Sequence, residues 1–463
     1  MLYTNIQADH RLGQIKYVKT GSLMKRAFCL LAIFSTSVIA DERPSSYIGP
    51  NSWTDDKPGI WRKQSATTLT KPFASALAAV STKVVERPTD TLPKTIDGFH
   101  VELFASNLMA PRTIRIAPNG DTFVFETEAG RLRVFPHSEQ KTQNHQGKIY
   151  VGGLDKPHGL SFYPPGADPR FIYVATEKSV LRFPYVKGDL AATGAGEVII
   201  KDLPSGGHST RDIAFSEDGK TLFLSIGSET NVAEGLATLS QKYSAELESL
   251  HGRGSSWGIE QGRAVVLTFD PDGKNKKTYA TGLRNCSGMA VRPTTDELWC
   301  VVNERDMLGD NLPPDYATYV KKDGFYGWPW FYIGGNQDPR HLDERPDLAN
   351  QVTIPDVLFQ AHSAPLSITF YQGNLFPTEY LGDAFVALHG SWNRAQKTGY
   401  KVVRLKFRDG QPTGEYQDFL TGFVRDNTHV WGRPASVAVA SDGSLLVSDD
   451  VSGTIWRVIY DKR

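Results

Sequence analysis

The run Gly206-Gly207-His208-Ser209-Thr210-Arg211-Asp212 sets an imidazole directly before an apolar alternation, Ile213 and Phe215, which ends at Asp218-Gly219. Two glycines on one side and a strand on the other deliver His208 to the mouth of a sheet, where a neutral imidazole can take a proton from a bound hydroxyl. Other polar groups stand at comparable places. Arg284-Asn285, His362 and Arg433 precede apolar strands, while Glu304-Arg305-Asp306 and His389-Gly-Ser-Trp-Asn-Arg394 follow them. Arginines and histidines gathered this way, without an equal number of acids, suit an anion carrying several carboxylates or phosphates. The plainer alternatives are a structural histidine that caps a strand and a rim whose arginines each pair with a nearby acid.

Positioning these groups requires strands, and the strands repeat. Segments 112–120, 158–162, 211–219, 287–291, 366–370 and 435–443 alternate with period two, and most lead through a turn into a second apolar strand such as 122–125, 221–224, 298–301 or 444–447. Six such phrases predict an all-β, six-bladed β-propeller over residues 97–463. The loops that approach the inner strands then collect around one end of the central channel, and so do the groups named above. Residues 41–96, rich in Pro, Ser and Thr, read as an N-terminal extension that wraps the propeller, and insertions at 232–263 and 309–355 read as ordered cap loops.

The first forty residues belong to a different category. Lys25-Arg26, the apolar run 27–40 and the acidic Asp41-Glu42 form a secretory signal that starts at Met24, so residues 1–23 read as an overcalled start; an uncleaved anchor is the alternative. Cleavage near Ala40 predicts a periplasmic or secreted protein. Fifty-one basic and 51 acidic residues leave no net charge, which removes the electrostatic signature of a nucleic-acid partner. Cys29 leaves with the signal. Across the hairpin 292–298, Cys300 falls opposite Ala290, so Cys286 and Cys300 read as free thiols unless the register shifts.

Taken in order, Gly206-Gly-His-Ser-Thr-Arg-Asp212, Gly282-Leu-Arg-Asn285, Asn303-Glu-Arg-Asp306, Phe325-Tyr-Gly-Trp-Pro329, His389-Gly-Ser-Trp-Asn-Arg394 and Trp431-Gly-Arg-Pro434 resemble the soluble PQQ-dependent sugar dehydrogenases, especially the L-sorbosone dehydrogenase branch. The resemblance implies that His208 is the general base and that Arg284 and Asn285 contact the quinone of pyrroloquinoline quinone (PQQ). It places Arg394 and Arg433 on the carboxylates of PQQ, His362 near the cofactor, and a catalytic Ca²⁺ on the backbone carbonyls of Asp306 and Met307. Two positions depart from the glucose enzymes: Ala435 stands where they carry a second arginine, for which Arg211 or Arg112 is the substitute, and Ser228 stands where they carry an Asp. The implied reaction is oxidation of an aldose or aldosulose at C1 to a lactone or acid, with Arg284 also stabilising the reduced quinone and the electrons leaving to a separate quinone or cytochrome acceptor. A calcium-dependent propeller lactonase and a non-catalytic carbohydrate- or protein-binding propeller are the competing classes.

Overall fold

Alternating β-branched and aromatic residues assemble into six antiparallel sheets, each with four core strands. The computed structural model of the chain describes residues 52–139 and 146–461; the signal-like segment and Cys29 lie outside them. Inner strands Pro111–Ile116, Gly159–Tyr163, Ile213–Phe215, Cys286–Arg292, Pro365–Phe370 and Pro434–Val439 each pack against the one before and the one after, and the sixth packs against the first. That closed ring is the six-bladed β-propeller predicted from the repeated strand-turn-strand phrase.

Three blades share one turn device. Gly120, Gly219 and Gly443 follow Asn or Asp, take φ of 90°, 70° and 86°, and donate their amides to the carbonyl three residues back. Glycine enters that left-handed region without a Cβ penalty, so these dipeptides set where each inner strand stops. Facing blades then bury aromatic layers; Trp299 of the fourth blade meets Phe370 and Phe407 of the fifth at centroid distances of 6.0 and 5.2 Å, both edge-on.

The ring is closed by the N-terminal side of the propeller, since Phe99–Ala105 forms the outer strand of the sixth blade against Thr454–Tyr460. Upstream of it, the extension runs along the propeller. Trp61–Lys63 adds a strand to the fifth blade and Lys83–Val84 runs parallel to His429–Val430. Arg62 and Lys401 converge on the buried Asp418, each at 2.8 Å, which neutralises charge that would otherwise be stranded in the interior. The two insertions meet as a cap: helix Gln241–His251, capped by Ser240, lies in the first, and Arg345 of the second reaches Glu248 at 2.5 Å while Trp257 packs on Trp330.

Cys286 and Cys300 are joined in a disulfide, which corrects the free-thiol expectation. The hairpin closes on Arg292 and Glu297, so Cys300 faces Met289 rather than Ala290, and a bulge between Cys286 and Gly288 brings Cys286 within a Cα distance of 5.9 Å. The bond follows Asn285 directly and so ties a candidate site residue to the second strand of its blade. Replacing both cysteines by serine is expected to lower the unfolding free energy by ~2–4 kcal/mol in a urea titration, the usual effect of releasing a loop of this size. An unchanged midpoint and slope would show that the bulged hairpin holds without it.

Candidate active site

His208 is placed by its two glycines. Gly206 and Gly207 have φ of 90° and 54°, and a Cβ on Gly207 would collide with the backbone of Glu229, so only glycine lets this loop lie against residues 227–229. The His208 amide and Nδ1 both donate to the Ser228 carbonyl, at 3.0 and 2.8 Å, and the Ser228 hydroxyl lies 3.1 Å from Nδ1. A carbonyl oxygen only accepts, so the ring proton is on Nδ1 and Nε2 keeps its lone pair. Among the described residues nothing hydrogen-bonds to Nε2. Burial and then the nearby Arg284 charge push His208 down to about 4, so the ring is neutral at pH 7 and able to accept a proton. Its orienting partner is therefore the Ser228 main chain and not a carboxylate; Glu229 instead pairs with Arg263 at 2.6 Å.

Arg284 and Asn285 reach the same end of the channel from the next inner strand. The Arg284 guanidinium is held by the carbonyls of Asn231 and Glu304, at 3.0 and 2.7 Å, and by the Asn231 side chain at 3.1 Å. The Asn303 carbonyl lies 3.3 Å away and the Asp306 carboxylate 3.6 Å away. Asn285 accepts from the Thr210 hydroxyl at 2.6 Å, which links it to the His208 loop. Asn231 was not singled out from the sequence, yet it also takes the Asp306 amide at 2.8 Å and the Trp328 indole at 3.0 Å. It immediately precedes the first insertion, and only that position hinted at a role.

Asp306 faces the site with its carboxylate, 3.4 Å from Nδ1 of His362. Burial alone would lower the His362 pKa, but the hydrogen bond and charge of Asp306 reverse this and hold it above the usual histidine value. His362 has φ of 65° and directs Nε2 to the Gly309 carbonyl at 3.0 Å. The backbone carbonyl of Asp306, expected on Ca²⁺, is instead occupied: Nη1 of Arg340 lies 2.9 Å from it and Nδ2 of Asn231 lies 3.2 Å from it. A divalent ion on that oxygen would sit beside a guanidinium charge, so Asp306 does not fit the ligand role expected of it. Met307 has φ of 67° and gives its amide to Asn393 at 2.7 Å, and its carbonyl carries no hydrogen bond among the described residues.

The remaining arginines divide into two groups. Arg394 donates to the Asp310 carbonyl at 2.9 Å, and Arg433 to the carbonyls of His389 and Gly390 at 2.9 and 3.0 Å. Arg394 is buried and Arg433 half-buried, and desolvation lowers both pKa values. No carboxylate lies within ion-pair distance of Arg433 among the described residues. Arg211, by contrast, is fully buried and directs its guanidinium to the carbonyls of Pro204, His208 and Thr210. Burial and then Arg263 lower it to about 10. Its role is to brace the His208 loop from behind, so it does not supply the second carboxylate clamp expected of it.

Arg112 does reach the rim, but it pairs with Asp450 at 2.9 Å, and Asp450 also takes Nε2 of His389 at 2.8 Å. The rim therefore holds more acid than its sequence suggested: Asp306 and Asp450 answer Arg284 and Arg112, and the uncompensated cation is concentrated at Arg433. His158 points to the Ser287 carbonyl at 2.9 Å and acts as a structural member of the channel wall.

Residues 93–323 and 337–461 match the TrAA12-like family. An uncharacterized protein of Borreliella burgdorferi is 30% identical over 397 residues, covering 82% of this chain and 94% of its own length. The pyrroloquinoline quinone-dependent pyranose dehydrogenase of Coprinopsis cinerea is 24% identical over 78% of this chain, and this match spans 54% of the Coprinopsis protein. Among solved structures, the holo form of the Coprinopsis cinerea pyranose dehydrogenase PQQ domain superposes with a TM-score of 0.63 at 22% identity, covering 82% of this chain and all of that one. The calcium structure of the Trichoderma reesei carbohydrate-active enzyme of family AA12 gives 0.65 at 21% identity, covering 81% and 98%. By the extent of the family match, the chain belongs to the TrAA12-like family.

Proposed function

We propose that this protein is a quinoprotein oxidoreductase that binds PQQ at the channel mouth and oxidises the C1 of an aldose or a sorbosone-like aldosulose, passing the electrons to a separate quinone or cytochrome. The observation that carries this reading is Arg433, a half-buried guanidinium with no carboxylate partner within ion-pair distance among the described residues, on the same rim as an oriented and neutral His208. PQQ supplies, when bound, three carboxylates on a flat quinone that accepts a hydride. Arg433 and Arg394 suit its carboxylates, and Arg284 and Asn285 its quinone edge. The Coprinopsis relative, a pyrroloquinoline quinone-dependent pyranose dehydrogenase, supports the substrate class.

On this reading His208 Nε2 takes the proton of the sugar C1 hydroxyl as the C1 hydrogen departs, and the Ser228 carbonyl stabilises the imidazolium through Nδ1–H. Arg284, fixed by Asn231 and Glu304, holds positive charge where negative charge develops, without needing to move. Export through the signal-like segment agrees with the Cys286–Cys300 bond, since disulfides persist in oxidising compartments.

Ca²⁺ does not share this support. Arg340 occupies the Asp306 carbonyl, which leaves the Met307 carbonyl as the one of the expected pair without a hydrogen bond among the described residues. PQQ affinity measured in chelator and in millimolar Ca²⁺ is expected to differ by less than about tenfold, because the Arg284 charge already serves the Asp306 side of the rim. A strict Ca²⁺ requirement would show that Arg340 leaves the carbonyl when the site fills.

The function is tested by supplying PQQ to the purified protein and following dye reduction with a panel of aldoses and sugar aldehydes, with lactone hydrolysis measured in parallel by proton release. The proposal requires dye reduction that depends on both sugar and PQQ. Lactone hydrolysis that is indifferent to PQQ would favour the hydrolase class instead.

A further inference from the structure

The N-terminal segment around residues 70–82 lies outside the family match, which begins at residue 93, yet it reaches the loops that carry the candidate site. Loop 308–310 offers three successive carbonyls, and each is taken by a different element. Leu308 accepts from the Phe73 amide at 2.8 Å, Gly309 from His362 Nε2 at 3.0 Å, and Asp310 from Arg394 Nη1 at 2.9 Å. The Asp310 amide in turn donates to the Ser75 hydroxyl at 2.8 Å. Gly309 has φ of 110°, and a Cβ there would lie 3.1 Å from the same Ser75 oxygen. The neighbouring loop is held in the same way: Asn393 accepts the Met307 amide and donates to the Ala78 carbonyl, both at 2.7 Å, and the Val80 amide donates to Trp392 at 2.8 Å.

Because Asp310 accepts Arg394 on its carbonyl oxygen while its own amide, one peptide unit earlier, is anchored on Ser75, moving the segment moves the arginine. Backbone hydrogen bonds that hold a surface loop from two sides restrict it far more than one side alone, and cation placement within a fraction of an ångström governs carboxylate recognition. We propose that segment 70–82 is an integral part of the cofactor site, with Ser75 the positioning residue that sets Arg394 through Asp310. The inference rests on the PQQ reading above. It adds an element that the propeller itself does not contain.

The test is a double-mutant cycle on the full chain, read by PQQ titration. Ser75→Ala removes the acceptor and is expected to raise the PQQ Kd about 2- to 10-fold, as for one neutral hydrogen bond, with Ser75→Thr restoring it. The effect stays modest because the cavity between residues 70–75 and 308–311, about 50 Å³, admits a water to the freed amide. In an Arg394→Ala background the same substitution is expected to change Kd by less than about twofold, since the arginine it acts through is gone. Equal effects in both backgrounds, or no effect in either, would overturn the proposal. Deuterium exchange of the 308–311 amides reads the link without cofactor and is expected to accelerate in Ser75→Ala. If the wild type fails to bind PQQ while that acceleration is seen, the quinoprotein reading falls and the anchoring stands; unchanged exchange removes the anchoring itself.

Discussion

His208→Gln is expected to bind PQQ normally and to lose at least ~10²-fold in kcat, the ordinary contribution of a positioned general base. Glutamine keeps a donor for the Ser228 carbonyl but offers no basic nitrogen at the position of Nε2. The pH profile carries the same prediction with a definite sign. Because burial and Arg284 depress the His208 pKa to about 4, the neutral base persists as pH falls from 7, and kcat/KM is expected to decline only as pH approaches that value. A histidine at its ordinary pKa would put the acid limb near ~6.5. A Gln variant with near-normal turnover would remove His208 from the proton step, and an acid limb of kcat/KM near neutrality would contradict the depressed His208 pKa in the free protein.

Arg433→Ala is expected to raise the Kd for PQQ by one to two orders of magnitude, since a charge-assisted contact contributes ~1.5–3 kcal/mol and each 1.4 kcal/mol is tenfold. The side chain also rests near the Tyr400 ring, with 5.4 Å from its guanidinium carbon to the centroid, and holds the His389 and Gly390 carbonyls. Folding must therefore be monitored alongside. Arg433→Lys separates the two roles, because it keeps the charge while losing the fork that reaches two carbonyls. Affinity lost in Ala and largely kept in Lys would identify charge as the working property. Identical titrations for Ala and wild type would leave the rim without its anion site.

The propeller was legible because its signals are local and repeated. Alternation at period two and the Asn119-Gly120, Asp218-Gly219 and Asp442-Gly443 turns are carried by neighbouring residues, and six copies leave little freedom. The directions of side chains at the rim were not legible. Arg211 and Arg433 occupy related places before inner strands, yet Arg211 turns inward to three carbonyls while Arg433 lies at the mouth; the difference depends on the Pro204–His208 loop, which periodicity cannot describe. The surroundings of Asp306 were hidden for a similar reason. Its carbonyl is claimed by Arg340, 34 residues downstream in the second insertion, and no short-range rule predicts that meeting. Asp450 closes onto His389 and Arg112 only because the ring brings the sixth blade beside the first and fifth. The disulfide turned on one residue of hairpin register and one bulge.

The most direct test of the account is a titration of PQQ into cofactor-free protein, followed by the visible absorbance of the bound quinone and then by its bleaching on addition of an aldose. On the quinoprotein reading, binding is saturable near one cofactor per chain, weakened in Arg433→Ala and intact in His208→Gln, with rapid bleaching by sugar in the wild type and slow bleaching in the His208 variant. Absence of saturable PQQ binding by folded wild-type protein would contradict it.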